Sequence, residues 1–178
     1  MEDGTEFLGR YVLAFVESTG HVSSVFERKT RKIFRQNGLV VEEVGPETWH
    51  DAATYASAVR EVRAEVGEET LRQAGEEQAK RVPWEGNAET VREGLAFLAE
   101  IDRQAHRSPS GEFAGSYDFE MVAEDRVRVS VPAGVPYPVE NVEGLFEGAV
   151  KTLSESPVVS LEDADTRADE RAAFAVTW

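Results

Sequence analysis

Apolar residues along the chain recur with two different periods, and the switch between them divides it into halves. In the first half the spacing is helical. Phe7, Leu8, Tyr11, Val12, Phe15 and Val16 fall on one helical face. A second helix carries Val25, Phe26, Ile33 and Phe34, with Ser24 and Glu27 at capping-box spacing and Gly38 placed to end it. "LVVEEV" reads as a short extended piece and "GPETW" as a turn. A third helix is predicted from Trp49–Asp51 to Gly67, through Tyr55, Val59, Val62 and Val66. "EETLRQAGEEQAKRV" is a polar fourth, weakened at Gly75 by about 1 kcal/mol relative to alanine. Asn87 is placed to cap a fifth helix striped by Val91, Leu95, Leu98, Ile101 and Ala105.

After the loop "HRSPSGEFAGS" the period drops to two. Tyr117 to Val122 and Arg126 to Val131, separated by "AED", read as an antiparallel hairpin. "PAGVPYP" breaks the pattern, and Asn141 is placed to cap a helix through Val142, Leu145, Phe146, Ala149, Val150 and Leu153. Val158 to Leu161 and the closing "AAFAVTW" read as two more strands, the last with Phe174, Val176 and Trp178 on one face. The expected fold is therefore α+β in one domain over 1–178. A helical half spans about 1–107, and an antiparallel β-β-α-β-β half about 116–178, with the helix laid across the sheet.

Composition narrows the classes. An apolar share of 41% and an aromatic share of 9% belong to a chain that can bury a core. No apolar run is long enough to span a membrane, and "MEDGTEF" lacks the layout of a signal peptide, so a cytoplasmic protein is expected. The absence of cysteine excludes disulfides and thiolate metal sites. The net charge of −15 comes from 34 acidic residues against 19 basic ones, dispersed along the chain, with Arg well ahead of Lys. Such a surface fits molar intracellular salt, where self-repulsion is screened; a binder of basic partners would cluster its acids. Phosphate backbones are repelled, so no nucleic-acid partner is expected.

Candidate chemistry is sparse. His21, His50 and His106 form no metal-ligand spacing. His106 ends the fifth helix, where the helix dipole alone favours it, and a ligand role is the alternative. "EDADTRADE" lacks the glycine and terminal glutamate of a calcium loop and reads as a solvated connection. No nucleophile elbow, P-loop or dinucleotide motif occurs, so a non-enzymatic protein is expected. Gly144 and Gly148 inside a helix point to a close approach, either helix–sheet packing or a ligand.

The order of elements, with "HRSPSGEFAGSYDFEM", "VPYPVENVEGLFEGAV" and the terminal "AAFAVTW", resembles the ligand-binding fold shared by H-NOX sensors, 4-vinyl-reductase-type domains and certain vesicle-tethering subunits. That resemblance implies a pocket between helices and sheet, holding heme, a tetrapyrrole or a fatty-acyl group in different branches. The heme branch clamps propionates with Tyr-x-Ser-x-Arg; here Tyr137 matches, Val139 replaces Ser and Asn141 replaces Arg. Its iron-ligating His has a counterpart in His106, 31 residues before Tyr137. The cysteines of vinyl-reductase-type members have none. The resemblance thus implies a sensory domain for a small hydrophobic or amphipathic ligand; the expected lining is Trp49, Tyr55 and Tyr117, chosen from the chain's aromatic residues, and Tyr137, the one carried from the family motif. The domain would signal through a partner protein or a homodimer. The alternatives are a heme gas sensor with His106 on iron, and a structural assembly module.

Overall fold

Gly9, not Phe7, begins the first helix. A computed structural model describes residues 4–109, 117–133, 137–156 and 158–178 and gives them an α+β architecture. Phe7 and Leu8 belong to a strand, β1 (Glu6–Leu8), which runs directly into α1 (Gly9–Val22). The switch is fixed by distant carbonyls. The N–H groups of Gly9 and Arg10 donate to the carbonyls of Thr48 and Pro46, at 2.8 and 2.9 Å, satisfying donors that a helix start leaves open. A Cβ at Gly9 would lie 2.1 Å from the Gly45 carbonyl oxygen, so this junction accepts only glycine.

Trp49–Asp51 likewise forms a strand, β2, rather than opening a helix. It pairs with β1, which also pairs with β3 (His106–Arg107), so Phe7 lies opposite both His50 and His106. Asp51 then caps α3 (Ala52–Val66), accepting from the Thr54 N–H. Other local expectations shift by a few residues. Ser23 rather than Ser24 caps α2 (Ser24–Gln36), and Gly38 follows it at φ +91°. Val41–Glu43 is a 3₁₀ turn, not an extended piece. After α4 (Glu68–Ala79), α5 (Val91–Ala105) is capped by Thr90 and Glu93 in a full capping box, while Asn87 bonds back to the Pro83 carbonyl.

The second half holds β4 (Asp118–Ala123), β5 (Arg126–Pro132), α6 (Val139–Leu153), β6 (Ser160–Asp163) and β7 (Glu170–Thr177). The sheet is antiparallel in the order β4-β5-β7-β6. Phe174 faces Val129 and Val176 faces Val127, and all four are fully buried. Trp178 donates its N–H to the Asp125 carbonyl and sits half-buried against the core edge. The loop segments 110–116 and 134–136 lie outside the described residues. Asn141 does not cap α6; it is buried one turn in, and its Nδ2 donates to the Leu71 carbonyl. Gly144 and Gly148 serve a close approach to helix α4 rather than to the sheet: a Cβ on Gly144 would sit 1.8 Å from the Arg72 carbonyl oxygen. Helix α6 is thus clamped between α4 and the sheet, where Phe146 meets Phe174 edge to face.

Candidate functional site

Between these elements lies a cavity of about 220 Å³. Helices build its walls: Phe7 enters from the β1–α1 junction, Tyr55 from α3, Leu98 and Asp102 from α5, and Asn141 from α6. Among the described residues no strand of the large sheet contributes; Tyr117, just ahead of β4, is its nearest approach. The space expected between helices and sheet is therefore a space chiefly among helices. Its rim is marked by the exposed Arg81 and Pro83 and the half-buried Ala14 and Ile101.

Of the residues named from sequence, the fold brings Tyr55, Tyr117 and Tyr137 together at this cavity. Tyr137 lies edge-on to Tyr55 at 6.1 Å and tilted to Tyr117 at 6.2 Å. Trp49 is elsewhere. Strand β2 leaves its ring half-buried under the guanidinium of Arg107, 4.5 Å away, and it does not line the cavity. His106 is buried at 7% exposure, behind the aromatic wall. Its Nδ1 faces the Asp102 carbonyl oxygen at 2.9 Å, which can only accept, so Nδ1 carries the proton. Nε2 is then the acceptor, and the Tyr137 hydroxyl donates to it at 2.8 Å. Burial lowers the His106 pKa, against a smaller raising effect of the Asp102 carbonyl bond. Burial also raises the Tyr55, Tyr117 and Tyr137 phenols, with the Asp102 charge adding to each.

Sequence reasoning passed over Phe7 and Asp102. Phe7 stacks on Tyr55 at 4.3 Å and lies 4.9 Å from the His106 ring. Asp102 is 5% exposed and lines the cavity. A signal for it existed: Asp102 stands four residues after Leu98 and seven after Leu95, a carboxylate on the apolar stripe of α5. Among the described residues no three His, Asp or Glu side chains converge as a metal site.

Acid should weaken this protein in two windows, one of them set here. With the folded His106 pKa below the ordinary value of about 6.5, the unfolded chain takes up the extra proton, so stability falls as pH drops below that value. The second window belongs to Glu170, gripped by both terminal nitrogens of Arg128 at 2.6 and 2.9 Å and by the Ser130 hydroxyl. Its pKa is held far below the usual carboxylate range, chiefly by Arg128, so its contribution is complete above about pH 4.3 and drains away below it. Glu143, raised by burial, acts in the opposite sense. Urea midpoints measured from pH 8 to pH 3 should fall in both windows. The lower step should shrink in Glu170→Gln, and a pH-independent midpoint would contradict the assignment.

No protein-family model and no curated protein matches the chain. Solved structures do. An oxygen-binding H-NOX domain related to soluble guanylate cyclases matches at TM-score 0.67 and 15% identity, over 95% of this chain and 93% of that one. A variant T. tengcongensis H-NOX gives TM-score 0.67 at 15% identity, over 95% and 96%. A structure concerned with heme redox potential and porphyrin distortion gives 0.67 at 15% identity, over 96% and 99%. The chain has an H-NOX-like fold.

As they stand, the residues do not fit a porphyrin. The cavity, at about 220 Å³, is smaller than the roughly 300–1,000 Å³ of sites for drug-sized ligands, the size class to which a porphyrin belongs. His106 Nε2, the atom an iron would need, is engaged by Tyr137, and the stacked Phe7 and Tyr55 rings fill the neighbouring space. Asn141 supplies no cation and is committed to Leu71.

Proposed function

We propose that this chain is a non-enzymatic sensory domain that holds a small apolar or amphipathic molecule in the cavity among its helices. One observation carries the reading: an aromatic-walled space with a rim open to solvent and a few buried polar groups inside, the usual make-up of a small-molecule site. Its volume exceeds the roughly 150 Å³ of an apolar cavity that takes up benzene. Occupancy would reach a partner protein through α6, which touches the cavity at Asn141 and Leu145 and the sheet at Phe174.

Benzyl alcohol, followed by ligand-observed NMR, is a direct test. It should bind the native chain and fail to bind Ala14→Phe, which plugs the rim without entering the core. Equal binding to both would place the probe elsewhere and defeat the proposal.

A second reading is a heme sensor. It is favoured by the buried position of His106 ahead of Tyr137 and by the heme named for a structure of this fold. It requires Tyr137 to release Nε2 and the Phe7–Tyr55 stack to part. Hemin titration decides between the two: a Soret band lost in His106→Ala supports heme, and protein that stays colourless excludes it.

A further inference from the structure

From the polar groups of the cavity wall we infer that its ligand is a small neutral molecule headed by a carbonyl oxygen, which accepts hydrogen bonds from the Tyr55 and Tyr117 hydroxyls. The inference rests on the cavity being a ligand site and narrows the class of ligand. Three buried phenols line this space, and their hydroxyls are not equivalent. That of Tyr137 is spent, donating to His106 Nε2 at 2.8 Å. Among the described residues those of Tyr55 and Tyr117 have no hydrogen-bond partner, although the two residues are only 2% and 8% exposed. The Thr30 and Ser154 hydroxyls also lack partners, but they are sealed into the packing. The two phenol oxygens are not sealed, and the open space that both residues line is the cavity.

A buried hydroxyl without a partner is unfavourable, so a molecule that fills the space gains by bringing an acceptor to it. Tyr55 and Tyr117 flank one stretch of wall, their rings 6.1 and 6.2 Å from that of Tyr137. A carbonyl oxygen has two lone pairs and takes two such donors at once. The wall asks for no ionic partner. Asp102 is already engaged, with His106 Nδ1 3.9 Å from its carboxylate and a hydrogen bond with Tyr137. Arg81 is exposed at the rim, and the Glu17 carboxylate lies 3.8 Å away. The volume of about 220 Å³ exceeds the roughly 150 Å³ of a cavity that takes up benzene, which leaves room for a short acyl group on a ring.

Acetophenone and 2-phenylpropene have the same shape, with an oxygen in one where the other has a methylene. A wall blind to that oxygen would favour 2-phenylpropene, because acetophenone gives up more hydration on entry. In ligand-observed NMR titrations of the native chain, acetophenone should instead bind at least tenfold more tightly. Tyr55→Phe and Tyr117→Phe should each cut that lead severalfold. Neither should lower Tm, since the hydroxyl removed has no partner, whereas Tyr137→Phe should lower it. The ratio in the native chain needs no variant, so a misfolded variant leaves the test intact. If 2-phenylpropene binds as well as acetophenone, if only benzyl alcohol binds, or if the lead persists in both phenylalanine variants, the carbonyl inference falls and the ligand-site reading stands. If all three probes fail to bind, both fall.

Discussion

Phe146→Ala is expected to cost about 3–5 kcal/mol, the range for emptying a fully buried phenylalanine site. Phe146 has no exposed surface and stands edge-on to Tyr117 at 5.5 Å and to Phe174 at 6.0 Å. It is therefore the ring that joins α6 to the sheet below and to the cavity wall above. Loss on this scale is a large share of the roughly 5–15 kcal/mol that holds a domain of ordinary stability together. Urea unfolding checks it: the midpoint should drop sharply while the slope stays the same. Under the proposed function, benzyl alcohol binding should weaken too, because Tyr117 loses its backing. A variant within about 1 kcal/mol of the native chain would show that α6 is held to the sheet by something else.

Gly144→Ala should destabilise by about 3 kcal/mol, toward the upper end of the usual cost of overpacking. Two effects oppose each other here. Alanine gains about 1 kcal/mol of helix propensity over glycine. Against that, its Cβ would lie 1.8 Å from the Arg72 carbonyl oxygen and 2.7 Å from the carbonyl carbon, and backbone cannot rotate away as a side chain can. The clash wins. Gly75 faces the same seam from α4, with a Cβ 2.2 Å from the Asn141 carbonyl oxygen. At Gly148 the first contact is the Ala79 methyl at 2.8 Å, so Gly148→Ala should be milder. Thermal melting gives the order: Gly144→Ala should lower Tm by roughly 6–12 °C, at about 2–4 °C per kcal/mol for a chain of this size. A higher Tm would mean that α4 and α6 are not packed backbone to backbone.

The misreadings have a common origin. Phe7 and Leu8 continue the apolar spacing of α1 without a break, and a three-residue strand is too short to display a period of its own. Only the docking of the 45–48 turn onto Gly9 ends the helix there. Trp49 failed as a cavity residue for the same reason, since β2 turns it toward Arg107. Asn87 and Asn141 are good capping residues by type, yet Thr90 has the partner Glu93 at the right offset, and Asn141 has a tertiary acceptor in Leu71. Gly144 and Gly148 announced a close approach from sequence, but the partner was helix α4.

By itself the sequence determined the order of the helices and of the four strands of the large sheet, the switch from helical to alternating period near residue 117, and the face each amphipathic segment buries. These follow from spacing along the chain, because side-chain direction repeats every 3.6 or every two residues. The same local reading reached the phenols of Tyr55, Tyr117 and Tyr137, though not the wall they share. The second small sheet, the α4–α6 seam and the cavity with Asp102 inside it were decided only by tertiary structure. Each is a relation between residues tens of positions apart, and such a relation has no period; it exists once the elements dock and their backbone groups find partners.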